Sequence, residues 1–265
     1  MGQTFNNRLL DKCNMTNNRL CIGLDVDPDK LPPNISDFNS VELFIKEIID
    51  STIDFCPVYK PNLAFYERFG SKGFELLGNI VSHIGDRAIT IADAKRGDIG
   101  NTSKHYADAI FNQFGFDAIT ISPYMGSDSI TPFIADEHHG VFVLCLTSNK
   151  SAKDFQFITQ NNTQLYESVA DKVKDLNSNN NLGLVVGATN KIQMNSLRDR
   201  TTPLPWLIPG IGAQGGDLET SVKIGNQKSL GIINVSRSII YAGSGSINDI
   251  SEAALNYTKK IRSFL

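Results

Sequence analysis

Eight short runs rich in Val, Ile and Leu recur along the chain, with amphipathic or polar stretches between them. They read RLCIGLDV (19–26), CPVYKP (56–61), RAITIADA (87–94), FDAITISPY (116–124), GVFVLCLTS (140–148), NLGLVVGA (181–188), TPLPWLIPGIG (202–212) and LGIINVSRS (230–238). Runs that are apolar on both faces suit parallel strands covered by helices better than a sheet with one wet side. Helical spacing fills the gaps. In SVELFIKEIIDST, Val41, Phe44, Ile45 and Ile48 fall at i, i+3, i+4 and i+7, so one face packs inward. NDISEAALNYTKKIRSFL has the same periodicity at the C-terminus and places Lys259, Lys260 and Arg262 where the helix dipole favours cations. Eight βα units in 265 residues match the size of one (β/α)₈ TIM barrel, expected to span 1–265 as a single catalytic domain. An open doubly wound sheet is the alternative, because strand count does not prove closure. The Asn-rich stretches 149–163 and 176–181 read as long surface connections.

Composition narrows the function classes. With 41% hydrophobic residues, 20% charged residues and a net charge of −3, the chain has an ordinary globular balance. No basic tract points to nucleic acid, and no apolar run approaches the ~18 residues of a membrane helix. The start, MGQTFNNRLLDKCNM, lacks the apolar stretch of a signal peptide, so a cytoplasmic protein is expected. Cys13, Cys21, Cys56 and Cys145 form no C-x-x-C pair, and three of them sit in apolar runs as small hydrophobes do.

In a barrel, chemistry collects at the C-terminal ends of strands. This sequence keeps its charges there: Asp25 after the first run, Lys60 after the second, Asp93 and Lys95 after the third. Ser148 follows the fifth, Gln214 the seventh and Arg237 the eighth. Asp93 and Lys95 are two apart, so an extended backbone sends both side chains the same way. Asp98 comes three residues later. A plainer reading makes Asp98, Asn101 or Thr102 a helix cap and the remainder a surface ion pair. Lys60 could snorkel to solvent and Asp25 could form a turn. Gly210, Gly212 and Gly215 spell G-x-G-x-x-G, but seven runs precede them and no acid occurs in 230–236, which argues against a dinucleotide. Glycines after the seventh strand and an arginine after the eighth fit the phosphate site of a barrel.

These residues resemble the orotidine 5′-phosphate decarboxylase family over nearly the whole chain, from CIGLDVDP to NVSRSIIYA. The most diagnostic element is DAKRGDI, which fits the family's D-x-K-x-x-D-I signature; DIGNTSKHYA and CLTSN are similar to a bacterial or protist branch. The resemblance implies decarboxylation of orotidine 5′-phosphate to UMP in a homodimer, with no metal and no organic cofactor. It implies that Lys60, Asp93 and Lys95 act from one subunit, with Asp98 and Thr102 reaching the site from its partner. Asp25 would hold the ribose and Ser148 the pyrimidine edge, Gln214 would bridge base and phosphate, and Gly215, Gly216 and Arg237 would bind the phosphate. Segment 209–219 looks like the closing lid.

The chemistry suits those residue types. Loss of CO₂ from C6 leaves a vinylic carbanion that no ring orbital delocalises, so a fixed ammonium must stabilise it and then protonate it. Two other readings fit part of the pattern. A Mg²⁺-dependent sugar-phosphate decarboxylase on the same barrel would carry an acid where Lys60 stands. A silent phosphate-binding barrel would not need all of Lys60, Asp93, Lys95 and Asp98.

Overall fold

Residues along each strand alternate between two environments, and that alternation builds the molecule. In the computed structural model, which describes residues 2–32, 35, 37–212 and 215–265, eight parallel strands close into a barrel. They are β1 (Leu20–Gly23), β2 (Val58–Lys60), β3 (Ile89–Arg96), β4 (Ala118–Ile121), β5 (Gly140–Leu146), β6 (Leu182–Val186), β7 (Trp206–Ile208) and β8 (Gly231–Val235). Each lies inside one of the eight apolar runs or extends it slightly. Closure is set by β8 pairing back to β1, Leu20 with Ile233 and Ile22 with Val235, which excludes the open sheet. The seventh run shrinks most. Pro203 and Pro205 have no N–H to offer a ladder, so pairing begins at Trp206.

Cys21, Val58, Ile91, Ala118, Phe142, Val185, Leu207 and Ile232 form the cluster inside the barrel. Their sequence neighbours Ile22, Tyr59, Ile119, Val143, Leu184 and Ile233 pack outward against the helices. That helical layer includes α1 (Phe5–Met15), α2 (Phe38–Asp50), α3 (Ser71–Ile84), α4 (Gly100–Asp108), α5 (Leu165–Leu176), α6 (Lys191–Thr201), α7 (Leu218–Gly225) and α8 (Ile247–Phe264). Asp37 opens α2 through a capping box with Ser40, and Ser246 caps α8. Arg262 near the end of α8 does more than complement a dipole: it donates to the Thr16 and Asn17 carbonyls just beyond α1.

Helix α1 is an element that the polar N-terminal sequence does not announce. Its apolar contacts are few, but Phe5, Leu9 and Cys13 are all buried and seal the barrel floor. Phe5 meets Phe142 edge-on at 6.1 Å between ring centroids. Burying Phe5 and Leu9 contributes ~1.5–3 kcal/mol each. The 176–181 stretch also departs from a simple surface connection. Asn181 is fully buried and its amide donates to the carbonyls of Ile134, Asp136 and His139. All four cysteines are buried and unpaired, and burial pushes the Cys13 and Cys56 thiols up to about 12. No helix among the described residues is long and apolar enough to cross a membrane.

Candidate active site

Above its apolar floor the inside of the barrel turns polar on four of its strands, one inward position (two residues) further along. Lys60 follows Val58, Asp93 follows Ile91, Thr120 follows Ala118 and Asn234 follows Ile232. A cavity of ≈ 510 Å³ opens over these four side chains at the C-terminal ends of the strands. Its walls include Asp25, Asn62, Lys95, Ser148, Lys150 and Arg237. The structure brings Asp25, Lys60, Asp93, Lys95, Ser148 and Arg237 together around this one cavity.

Asp93 is the centre of the charge array. Lys60 Nζ lies 2.7 Å from its Oδ2, and Lys95 Nζ lies 2.6 Å from its Oδ1. Burial alone would raise the Asp93 pKa, but Lys60 and then Lys95 outweigh it and hold the carboxyl well below the usual range. Lys60 is 4% exposed at its side chain, yet it stays charged. Burial acts to lower its pKa, while Asp93 and Asp25 together push it above that of an ordinary lysine. An isolated buried ammonium would be expelled or neutralised; a paired one is retained. Lys95 differs in being 49% exposed, with its head at the cavity. The snorkelling alternative for Lys60 is therefore overturned, because its partner lies inside the barrel.

Backbone geometry at Lys95 departs from the extended strand expected from i, i+2 spacing. Its φ is +48°, and the β3–β4 register jumps between Ala92 and Arg96. A lysine in the left-handed region costs ~1–3 kcal/mol, which surrounding contacts must offset. The two side chains still meet, through a bulge. At the neighbouring strand end, Asp25 Oδ1 accepts the Asn62 N–H at 3.2 Å.

Other expected residues lie elsewhere. Asp98 and Thr102 do not line their own chain's cavity. Asp98 Oδ1 accepts the Ile99 N–H at 2.8 Å, and neither Asp98, Asn101 nor Thr102 caps α4, whose cap position is Ile99. Gly215 and Gly216 also stand away from the cavity wall. Their N–H groups donate to Gly212 O at 2.9 Å and Gly210 O at 3.0 Å, so both are engaged within the loop and not aimed at an anion site. Gln214 lies outside the described residues.

Several cavity residues escape a search for strand-end charges. Asn62, Thr120, Thr147, Asn149, Lys150, Asn234 and Ser236 all line it. For Thr120 and Asn234 a signal exists: each is a lone polar residue at an inward position of an otherwise apolar strand. The 149–163 stretch is also more than a connection. Gln156 accepts the Thr147 N–H at 2.9 Å and donates to Thr147 Oγ1 at 2.7 Å, which fixes the turn carrying Ser148. Ser148 Oγ is buried at the wall without a hydrogen-bond partner among the described residues, and a Cβ on Gly187 would come within 2.2 Å of it. Arg237, exposed at the mouth, makes no ion pair among the described residues. A ligand able to accept hydrogen bonds would satisfy both groups.

Residues 18–247 match the model described as Orotidine 5′-phosphate decarboxylase / HUMPS family. An orotidine 5′-phosphate decarboxylase of Dehalococcoides mccartyi is 46% identical over 265 residues, covering 96% of each chain. The solved OMP decarboxylase of Leishmania donovani superimposes with a TM-score of 0.87 at 35% identity, covering 99% of this chain and 98% of that one. UMP synthase from the same organism gives 0.89 at 36% identity, covering 99% of this chain and 57% of that longer chain.

Proposed function

The chain belongs to the orotidine 5′-phosphate decarboxylase family, and we propose that it converts orotidine 5′-phosphate to UMP in pyrimidine biosynthesis without metal, Lys95 protonating C6. The observation that carries this reading is the Lys60–Asp93–Lys95 array on the floor of a cavity whose mouth carries Arg237, which makes no ion pair among the described residues. The C6–carboxylate bond breaks, CO₂ leaves, and the electron pair stays on C6. The Lys95 ammonium, already held by Asp93, faces that pair as a fixed charge and then supplies the proton. Asp93 orients both lysines and keeps the buried Lys60 charged. Lys60 also argues against the magnesium alternative, since its ammonium occupies the place beside Asp93 where a cation would have to sit. The test is the fall in orotidylate absorbance with and without EDTA. Equal rates are expected; turnover abolished by chelation overturns the metal-free reading, and no turnover overturns the activity.

Substrate contacts follow the walls. Asp25 takes the ribose hydroxyls, Ser148 the pyrimidine edge and Arg237 the phosphate. For Gln214, outside the described residues, the bridge from base to phosphate rests on the family resemblance alone. Gly215 and Gly216 join the phosphate site only if segment 209–219, which runs into the first turn of α7, exchanges the internal hydrogen bonds of these glycines as it closes over the ligand. Charged hydrogen bonds are worth ~1.5–3 kcal/mol, so Arg237→Ala should weaken UMP binding roughly ten- to a hundredfold. Uridine, which has no phosphate, should bind the variant and the wild type alike. Unchanged UMP affinity by calorimetry would place the phosphate grip elsewhere.

The site is shared in a homodimer. Asp98 and Thr102 lie outside their own cavity, and exposed apolar side chains accompany them: Ile99 beside Asp98, Met125 near Gly97, and Tyr106 under Arg96. A second copy would cover that face and bring Asp98 to the neighbouring array. The four buried thiols fit a reducing, cytoplasmic setting, and one barrel domain accounts for all eight strands.

A further inference from the structure

We infer that Thr120 is a positioning residue for the decarboxylation, setting Lys95 and Asp93 through a hydroxyl that bridges them; the inference rests on the proposed role of Lys95. Thr120 lies on β4, is 1% exposed, and faces the barrel interior directly above Ala118. Its Oγ1 accepts the Lys95 backbone N–H at 3.0 Å and donates to Asp93 Oδ1 at 3.0 Å. A hydroxyl has one proton and two lone pairs, so it can serve both neighbours at once. No aliphatic side chain can.

The register explains why a side chain is needed. Ala92 pairs with Ile119 and Arg96 with Ile121, so four steps along β3 oppose two along β4. In the widened gap the Lys95 N–H finds a β4 side chain in place of a ladder carbonyl. Backbone pairing resumes where Ser122 N–H donates to Arg96 O at 2.7 Å. Lys95 sits in this gap with φ +48°, a conformation that persists only when its surroundings enforce it. The same Oδ1 that Thr120 binds also holds Lys95 Nζ at 2.6 Å. One hydroxyl therefore fixes the lysine at both ends, its backbone directly and its ammonium through Asp93. Ile119 and Ile121 alongside are aliphatic, so strand packing does not demand a polar group at position 120.

The experiment compares Thr120→Val, which keeps the branched shape without the hydroxyl, with Thr120→Ser, which keeps the hydroxyl. Each rate is divided by the number of UMP-binding sites, so that loss of folded protein does not count as loss of rate. The Val variant should lose roughly ten- to a hundredfold in kcat per site, with UMP affinity within about twofold of wild type. The Ser variant should recover most of that loss. A residue that served packing alone would lower the number of sites and leave kcat per site unchanged. If Thr120→Val does not fold, Thr120→Cys makes the same comparison, its thiol being a weak donor and acceptor. Wild-type kcat per site in the hydroxyl-free variant, or an equal loss in the Ser variant, overturns the assignment. An inactive wild-type chain overturns the decarboxylase reading itself, a separate outcome visible in the same assay.

Discussion

Turnover by the Lys95→Ala variant is expected to fall by ~10³-fold or more while its affinity for UMP stays close to wild type. The size follows from the charge that the variant lacks. At ~4 Å and an effective dielectric near 20, an ammonium facing a localised carbanion is worth roughly 4 kcal/mol, about three decades in rate. Loss of the proton donor adds to that. The effect is confined to the transition state, because UMP carries hydrogen, not charge, at C6. Alanine at φ +48° is strained to a similar degree as lysine, so the substitution tests the ammonium and not the backbone. Asp93 keeps Lys60 at 2.7 Å and so is not left as an unpaired buried carboxylate. Stopped assays at high enzyme concentration, paired with calorimetry on UMP, measure both quantities. Residual decarboxylation within tenfold of wild type would remove Lys95 from the role of acid.

Mixed dimers should restore activity that neither parent variant has. Suppose Lys95→Ala and Asp98→Ala are each inactive, and the two are unfolded together and reassembled. In a two-fold dimer, whatever one subunit lends is lent back. One site of each heterodimer then carries both lesions, while the other takes Lys95 and Asp98 from opposite chains and is intact. Random pairing makes half the dimers mixed, so about a quarter of all sites should regain wild-type turnover. The fold supplies the motive for the experiment: Asp98 holds the Ile99 N–H away from its own cavity, while Lys60, Asp93 and Lys95 all converge within it. If verified mixed dimers stay as inactive as the parents, Asp98 acts inside its own subunit or not at all.

Barrel order and most charged groups of the site were legible in the sequence, since both depend on local patterns. A strand that is apolar on both faces identifies itself, and a charge at its C-terminal end falls at the barrel mouth whenever the barrel closes. Asp93 and Arg237 needed nothing further to be placed at the mouth. Helix α1 was less legible because it holds itself in place with only Phe5, Leu9 and Cys13, spread among polar residues. Their value depends on the open floor of a barrel that the N-terminal segment does not itself encode.

The sequence by itself determined eight parallel strands, the D-x-K-x-x-D constellation and the polarity of the strand ends; the helix expected after the fourth strand is replaced by two 3-10 turns, Ser127–Ser129 and Thr131–Phe133. Tertiary structure alone decided how those residues meet. Closure depends on β8 finding β1 some 210 residues away, a pairing no local pattern specifies. The left-handed turn at Lys95 arises from a register mismatch with β4, bridged by a hydroxyl on Thr120, so residues far apart in sequence set its geometry. Whether Lys60 seeks solvent or the interior was likewise decided by Asp93 on β3 and Asp25 just beyond β1, because a buried charge is stable only where its partners already stand.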